Sequence, residues 1–147
     1  MALLSTGDQD KLREAFTDLK SGVKIVFFTQ TLGCETCLQT RQIVDELPPL
    51  SDKITIEEVN LVLDADKARA FGVDRVPALA IVGKDEQGSD RDSRIRFVGA
   101  PAGYEFISLV QAVLLVGGRE PNLSETNRSR LAAVDTPMTI QVFTTPT

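Results

Sequence analysis

Residues 23–37 read VKIVFFTQTLGCETC, and this stretch decides the fold. Its first part, Val23–Thr29, is β-branched, aromatic and almost continuously apolar, which is typical of a strand buried on both faces of a sheet. Two cysteines separated by two residues, Cys34 and Cys37, follow within a few positions. From Cys37 onward, apolar residues recur at helical spacing until two prolines end the pattern. The sequence therefore predicts a strand, a dithiol and a helix in that order.

Helices and strands are predicted on both sides of this stretch. Before it, residues 7–19 carry apolar side chains at helical spacing and predict an amphipathic helix. After it, the patterns predict a strand over residues 53–61, a helix over 64–71, strands over 77–82 and 95–98, and a helix over 103–116. The loop 83–93 favours an antiparallel hairpin between the last two strands. The predicted class is α/β, with a mixed central sheet flanked by helices.

The last part of the chain predicts one more helix and one more strand. Residues 123–134 have the pattern of a linking helix, and residues 138–143, MTIQVF, have that of a strand. This ending is similar to residues 26–31, which lead into the cysteine pair. We therefore expect residues 1–120 to form one domain that contains the dithiol. Residues 121–147 are expected to be a linker and the first strand of a second, truncated unit of the same kind.

Composition restricts the class of function. A chain of 147 residues with 42% hydrophobic content is long enough for one well-buried core. The net charge of -5 comes from interspersed basic and acidic residues, which argues against a nucleic-acid partner. No apolar run approaches the roughly 20 residues that a membrane span needs, and the N-terminus lacks the pattern of a signal peptide. We expect a cytoplasmic protein that has no membrane partner.

The cysteine pair predicts redox chemistry. Two cysteines this close together constrain the unfolded chain too little to serve as a structural disulfide framework. Disulfide exchange needs one thiol with a lowered pKa and a second thiol nearby. At the start of a helix, the sulfur of Cys34 would face N–H groups and the positive end of the helix dipole, which favour the thiolate. We therefore assign Cys34 as the nucleophile and Cys37 as the resolving thiol, and we expect no cofactor.

Other uses of the cysteine pair stay open, although the composition disfavours them. Zinc would need two more ligands from a chain without histidine or a third cysteine, and an iron–sulfur cluster would have to be shared between two subunits. We expect no metal. A carboxylate of the next strand, Glu57 or Glu58, is a candidate proton acceptor for Cys37, and the sequence does not decide between them. Simple solvated strand residues are the alternative interpretation of both.

Along the chain, the predicted elements follow in the order strand, CxxC, helix, strand, helix and then Val76-Pro77 before a hairpin. This order resembles that of the thioredoxin fold. In that fold the proline is cis and packs against the dithiol, and the residue before it pairs with an extended substrate peptide. The resemblance therefore implies that Val76 and Pro77 bind substrate. An ordinary trans proline at the start of a strand is the alternative.

Three segments carry a narrower resemblance, residues 51–55, 97–106 and 143–147. They are similar to the glutaredoxin-like protein disulfide oxidoreductases, which have two fused thioredoxin units. They are also similar to the N-terminal domain of the alkyl hydroperoxide reductase flavoprotein subunit. The resemblance implies an enzyme of cell redox homeostasis that acts on protein disulfides and takes electrons from a partner like thioredoxin reductase. The alternative is a non-catalytic docking or scaffold domain that supports a second redox unit. The apolar strand predicted over residues 138–143 adds the expectation of a homodimer.

Overall fold

A computed structural model describes residues 2–145 of the chain. Its elements are, in chain order, α1 (Thr6–Phe16), β1 (Val23–Thr29), α2 (Cys37–Asp45), β2 (Ile54–Asn60), α3 (Ala65–Ala70), β3 (Ala78–Lys84), β4 (Asp90–Val98), α4 (Tyr104–Val116) and α5 (Glu125–Ala132), with a 3₁₀ turn at Pro48–Leu50. The α/β class is confirmed, as is every helix and strand predicted up to residue 116. No helix in the described range is long and apolar enough to cross a membrane.

The four strands form one mixed sheet in the order β2-β1-β3-β4. β1 runs parallel to β2 and antiparallel to β3, and β3 forms the predicted antiparallel hairpin with β4. Phe28 is opposite Ala78, and Ala78 is opposite Val98. Strands β1, β2 and β4 therefore finish at the same end of the sheet at which β3 begins. We call this the dithiol end, because the segment that contains both cysteines leaves β1 there.

Strand β1 is buried on both faces of the sheet, as its apolar run predicts. Ile25 and Phe27 belong to a large core with residues of α1, α2 and α4. Val26 and Phe28 belong to a smaller core on the other face, which includes Ala68 of α3. Helices α1, α2 and α4 thus pack on one face of the sheet, and α3 packs on the opposite face.

Strand β4 begins at Asp90, five residues before the predicted start, because a β-bulge lets it continue. Ala80 is opposite Arg96 and Val82 is opposite Asp92, so residues 93–95 stand opposite Ile81 alone. Within the bulge, the Ser93 hydroxyl donates to the Ile81 carbonyl at 2.5 Å. The sequence predicted a loop as far as residue 93, because a bulge interrupts the alternation by which a strand is recognised.

The C-terminal part agrees with the sequence only in part. The linking helix is present as α5, and none of its side chains is buried. The strand predicted over residues 138–143 is wrong, because these residues form no strand and their side chains are exposed. A strand needs a neighbouring strand to satisfy its N–H and C=O groups, and the described residues provide none there. Residues 146 and 147 lie outside the described range, and the second unit stays a prediction.

Candidate functional site

The two cysteines lie at the start of α2 and are joined to each other. Their sulfurs are bonded at 1.96 Å, with a Cα–Cα distance of 5.5 Å. Cys37 is the first residue of the helix and only 6% exposed, whereas Cys34 precedes the helix and is half-buried. Solvent therefore reaches Cys34 more readily than Cys37, which is the order of accessibility expected for an attacking and a resolving sulfur.

Thr40 stabilises the first turn of α2 through hydrogen bonds to the backbone. This residue is fully buried and is the only buried polar side chain among residues 2–145. Its N–H and its hydroxyl both donate to the Thr36 carbonyl, each at 2.9 Å. Thr36 itself makes no capping bond through its side chain, which leaves the N–H groups of the first turn without that acceptor. No sequence pattern singles out Thr40, because nothing marks it as buried before the helix is packed.

Val76 and Pro77 lie at the dithiol end, immediately before β3. Their peptide bond is cis, as the resemblance implied. The Gly99 N–H donates to the Pro77 carbonyl at 2.9 Å. Within residues 2–145, neither the N–H nor the C=O of Val76 makes a hydrogen bond. The register of the sheet thus brings the cysteine segment and two free backbone groups of Val76 to the same end of the molecule.

Neither glutamate of β2 is the buried proton acceptor considered from the sequence. Glu58 lies on the face that carries α2 and forms an ion pair with Arg41 of that helix, while its side chain is 48% exposed. Glu57 lies on the opposite face and pairs with Lys67 and, at 3.1 Å, with Lys24. The hydrogen bond from Lys67, followed by that from Lys24, lowers the pKa of Glu57. Both residues are the solvated strand glutamates of the alternative interpretation.

Large apolar side chains are exposed at the dithiol end, in two loops, in the first turn of α2 and at the last residue of β4. They are Leu32, Leu38, Val62, Leu63 and Val98. Leu32 and Leu63 are the extreme cases, each 83% exposed. The Asn60 side chain orders the loop that follows β2, since its Oδ1 accepts from the N–H groups of Val62 and Leu63 at 2.9 and 3.0 Å. An ordered turn therefore presents two apolar side chains to solvent.

Comparison with known proteins places this arrangement in a family. No protein-family model matches the chain. The probable thioredoxin of Methanothermobacter marburgensis is 35% identical over 89 residues, which are 60% of this chain and 92% of that protein. The chain belongs to the thioredoxin family. The family, the fold and the adjacent cysteines together make this unit a thiol–disulfide oxidoreductase.

Other relatives of this thioredoxin-family chain are much longer. The NADH dehydrogenase of Bacillus subtilis is 35% identical over 83 residues, and the chain spans only 13% of its length. Among solved structures, the alkylhydroperoxide reductase AhpF of Enterococcus faecalis matches 90% of this chain and 61% of that chain, with a TM-score of 0.77 and 25% identity.

The fold also matches a protein disulfide oxidoreductase of Aeropyrum pernix, over 88% of this chain and 54% of that chain, with a TM-score of 0.72 and 24% identity. The similarity to both groups of proteins named from the sequence is therefore confirmed. The match to the Aeropyrum pernix protein is one of fold.

Proposed function

We propose that this domain exchanges disulfides with other proteins through Cys34 and Cys37. The observation that carries the proposal is the position of the pair, with an accessible Cys34 before the helix and a buried Cys37 at its first residue. The N-terminus of α2 favours a thiolate at Cys34, whereas the Glu35 carboxylate next to it opposes one.

The reaction balances as two exchanges. The Cys34 thiolate attacks one sulfur of a substrate disulfide, so that a mixed disulfide forms and the first substrate thiolate leaves. The Cys37 thiol loses its proton and attacks the sulfur of Cys34. This step closes the Cys34–Cys37 disulfide and releases the second substrate thiolate. The dithiol has then given two electrons to the substrate. A reductase must supply two electrons to the Cys34–Cys37 disulfide to restore the dithiol, and for this reductase we propose a partner like thioredoxin reductase.

Two features support a protein substrate. The free N–H and C=O of Val76 offer an extended peptide the hydrogen bonds of a short strand pairing, next to Pro77. The exposed apolar side chains of the surrounding loops, such as Leu32 and Leu63, would contact apolar residues beside the substrate cysteine. We propose a cytoplasmic location, because the exchange described here needs a reducing environment in which the dithiol is regenerated.

Alkylation and trapping test this function. In the reduced protein, the pH dependence of the rate at which iodoacetamide alkylates Cys34 gives the pKa of its thiol. We expect this pKa to lie below the ordinary value of about 8.5. Cys37→Ser should accumulate a mixed disulfide with a protein substrate, and Cys34→Ser, its matched control, should accumulate none. Equal, slow alkylation of both cysteines together with no trapped complex would contradict the proposal and would favour a docking or scaffold domain.

We also propose that residues 138–143 mediate a homodimer. Ile140, Val142 and Phe143 are 81–89% exposed, and pairing of this segment with another chain would bury these apolar side chains and give its backbone the partners it lacks here. We expect light scattering on the purified chain to give the mass of two chains, and Ile140→Asp with Val142→Asp to give the mass of one. Thr139→Asp with Gln141→Asp, at the polar positions next to them, is the control. A wild-type monomer at all concentrations would contradict this proposal.

A further inference from the structure

The side chain of Arg96 on β4 makes an extensive set of contacts with the end of α3. Its Nε and Nη2 atoms both donate to the Phe71 carbonyl at 3.1 Å. The guanidinium carbon also lies 5.4 Å from the centroid of the Phe71 ring, which is within the range of a cation–π interaction. The same ring packs edge-on against Phe28 of β1, with 5.6 Å between the centroids. Arg96 therefore holds both the backbone and the ring of Phe71.

The β-bulge orients this guanidinium. In a regular strand the Cα atoms of residues i and i+4 are about 13 Å apart, and side chains that stand perpendicular to the sheet do not close that distance. The bulge over residues 93–95 shortens this distance, so that Asp92 accepts from Arg96 Nη1 at 2.8 Å and from Nη2 at 2.6 Å. Asp92 also accepts from the Arg94 N–H at 2.9 Å. Arg96 is thus held by a two-oxygen contact on one side and by the Phe71 carbonyl on the other.

Phe71 begins the loop over residues 71–77 that leads to the free backbone groups of Val76. The backbone N–H groups of Gly72 and Val73 bond back to α3. Within the described part of the chain, residues 74–76 make no backbone hydrogen bond. The loop is therefore anchored at its start by Arg96 and α3, and at its end by the bond from Gly99 to Pro77. Both Arg96 and Gly99 lie on or directly after β4.

We propose that Arg96 is a positioning residue for substrate binding. By fixing Phe71, it orders the loop that presents Val76, so that less conformational freedom is lost when a peptide pairs there. Arg96 acts through Phe71 and the loop, not on the sulfurs. The proposal rests on the disulfide exchange proposed above and adds a residue that the cysteine motif does not include.

Two substrates separate positioning from a general effect on the fold. We would measure reduction of a protein disulfide, which needs the Val76 loop, and of a small aromatic disulfide, which needs only an accessible Cys34. Arg96→Lys keeps the charge and loses the planar two-donor geometry, and Arg96→Gln loses both. For each we expect KM for the protein to rise roughly fivefold with kcat little changed, and an unchanged rate with the small disulfide.

Arg13→Gln is the matched control, because Arg13 forms an exposed ion pair with Asp10 on α1, away from the Val76 loop. It should leave both rates unchanged. If Arg96→Lys binds and reduces the protein substrate as the wild type does, the proposal is overturned. Equal losses with both substrates would also overturn it, because they indicate a general structural role. A wild type that reduces neither substrate would instead refute the exchange function itself, and the positioning role with it.

Discussion

At the scale of single residues, Gly117 lies where α4 ends and has its neighbours packed closely around it. Its carbonyl accepts from the N–H groups of Lys20 and Ser21, at 2.8 and 3.1 Å, so the chain between α1 and β1 is held directly against it. A Cβ atom at this position would stand 2.2 Å from Leu19 Cδ2 and 3.1 Å from the Val113 carbonyl oxygen. Leu19 is itself buried in the main core. Glycine is therefore required here by the close approach of its neighbours.

Replacement of Gly117 by alanine should destabilise the protein. We expect Gly117→Ala to lower the free energy of unfolding by about 1–3 kcal/mol, because the added methyl group overpacks the Leu19 contact. Gly7→Ala is the control, since it lies in α1 with nothing closer than 4.0 Å to the new Cβ. Alanine is favoured over glycine in a helix by up to about 1 kcal/mol, so this variant should be stabilised. Urea unfolding of both oxidised variants measures the difference. Equal stability of the two would show that the Leu19 contact relaxes without cost.

At the scale of elements, the Ser93 side chain ties the bulge in β4 to the neighbouring strand β3. Ile81 is fully buried, and the bulge leaves its carbonyl to the Ser93 hydroxyl. We expect Ser93→Ala to lower the free energy of unfolding by about 1–3 kcal/mol, because a buried acceptor loses its donor. Ser108→Ala, on the exposed side of α4, is the control and should change stability by less than about 0.5 kcal/mol.

The same measurement tests whether the bulge depends on this bond. Chemical unfolding followed by circular dichroism gives the free energy for both serine variants. If Ser93→Ala and Ser108→Ala behave alike, the Ile81 carbonyl has found another donor, and the hydroxyl is not what maintains the bulge. A loss confined to Ser93→Ala would support the contact as it stands.

Elements with a strong local pattern were predictable from the sequence. The burial of β1 on both faces follows from its continuous apolar run, and the position of the dithiol follows from the start of α2. The bulge in β4 was missed because it depends on how β4 pairs with β3, which the local pattern of β4 does not show. The strand predicted over residues 138–143 is wrong for a related reason, since its local pattern is that of a strand but the described residues place no neighbouring strand beside it.

The site was predictable to a similar extent. Cys34, Cys37 and the cis bond before Pro77 came from a motif and a resemblance. The contacts of Thr40 with Thr36 and of Arg96 with Phe71 did not, because both need the packed fold. In each case the side chain donates a hydrogen bond to a backbone carbonyl. Neither the residue type nor its spacing in the sequence predicts such a bond.

At the scale of the whole molecule, a network of charges connects all four strands and α3 on the face opposite α2. Asp90 of β4 accepts from Lys24 of β1 and from Lys84 of β3, each at 2.5 Å. Lys24 also pairs with Glu57 of β2, which in turn pairs with Lys67 of α3. Hydrogen bonds from Lys24 and then Lys84 lower the pKa of Asp90 to about 2. The network therefore favours the charged form of this carboxylate only in the folded protein.

The pH dependence of stability should report this network. Because the folded pKa of Asp90 is below its ordinary value of 3.8, its contribution is fully present above pH 3.8 and is lost as the pH falls towards 2. The side chain is 42% exposed, so solvent screening limits the contribution to about 1 kcal/mol.

We expect Asp90→Asn to be less stable than the wild type at pH 7 by up to this amount, and the difference to disappear by about pH 2. High salt at pH 7 should also reduce it, since exposed ion pairs are screened. Asp66→Asn, whose pair with Arg69 is almost fully exposed, is the control and should match the wild type throughout. Thermal unfolding from pH 7 to pH 2 measures all three proteins. A difference that persists unchanged at pH 2 would mean that Asp90 contributes through packing, because a protonated carboxyl group no longer attracts the two lysines.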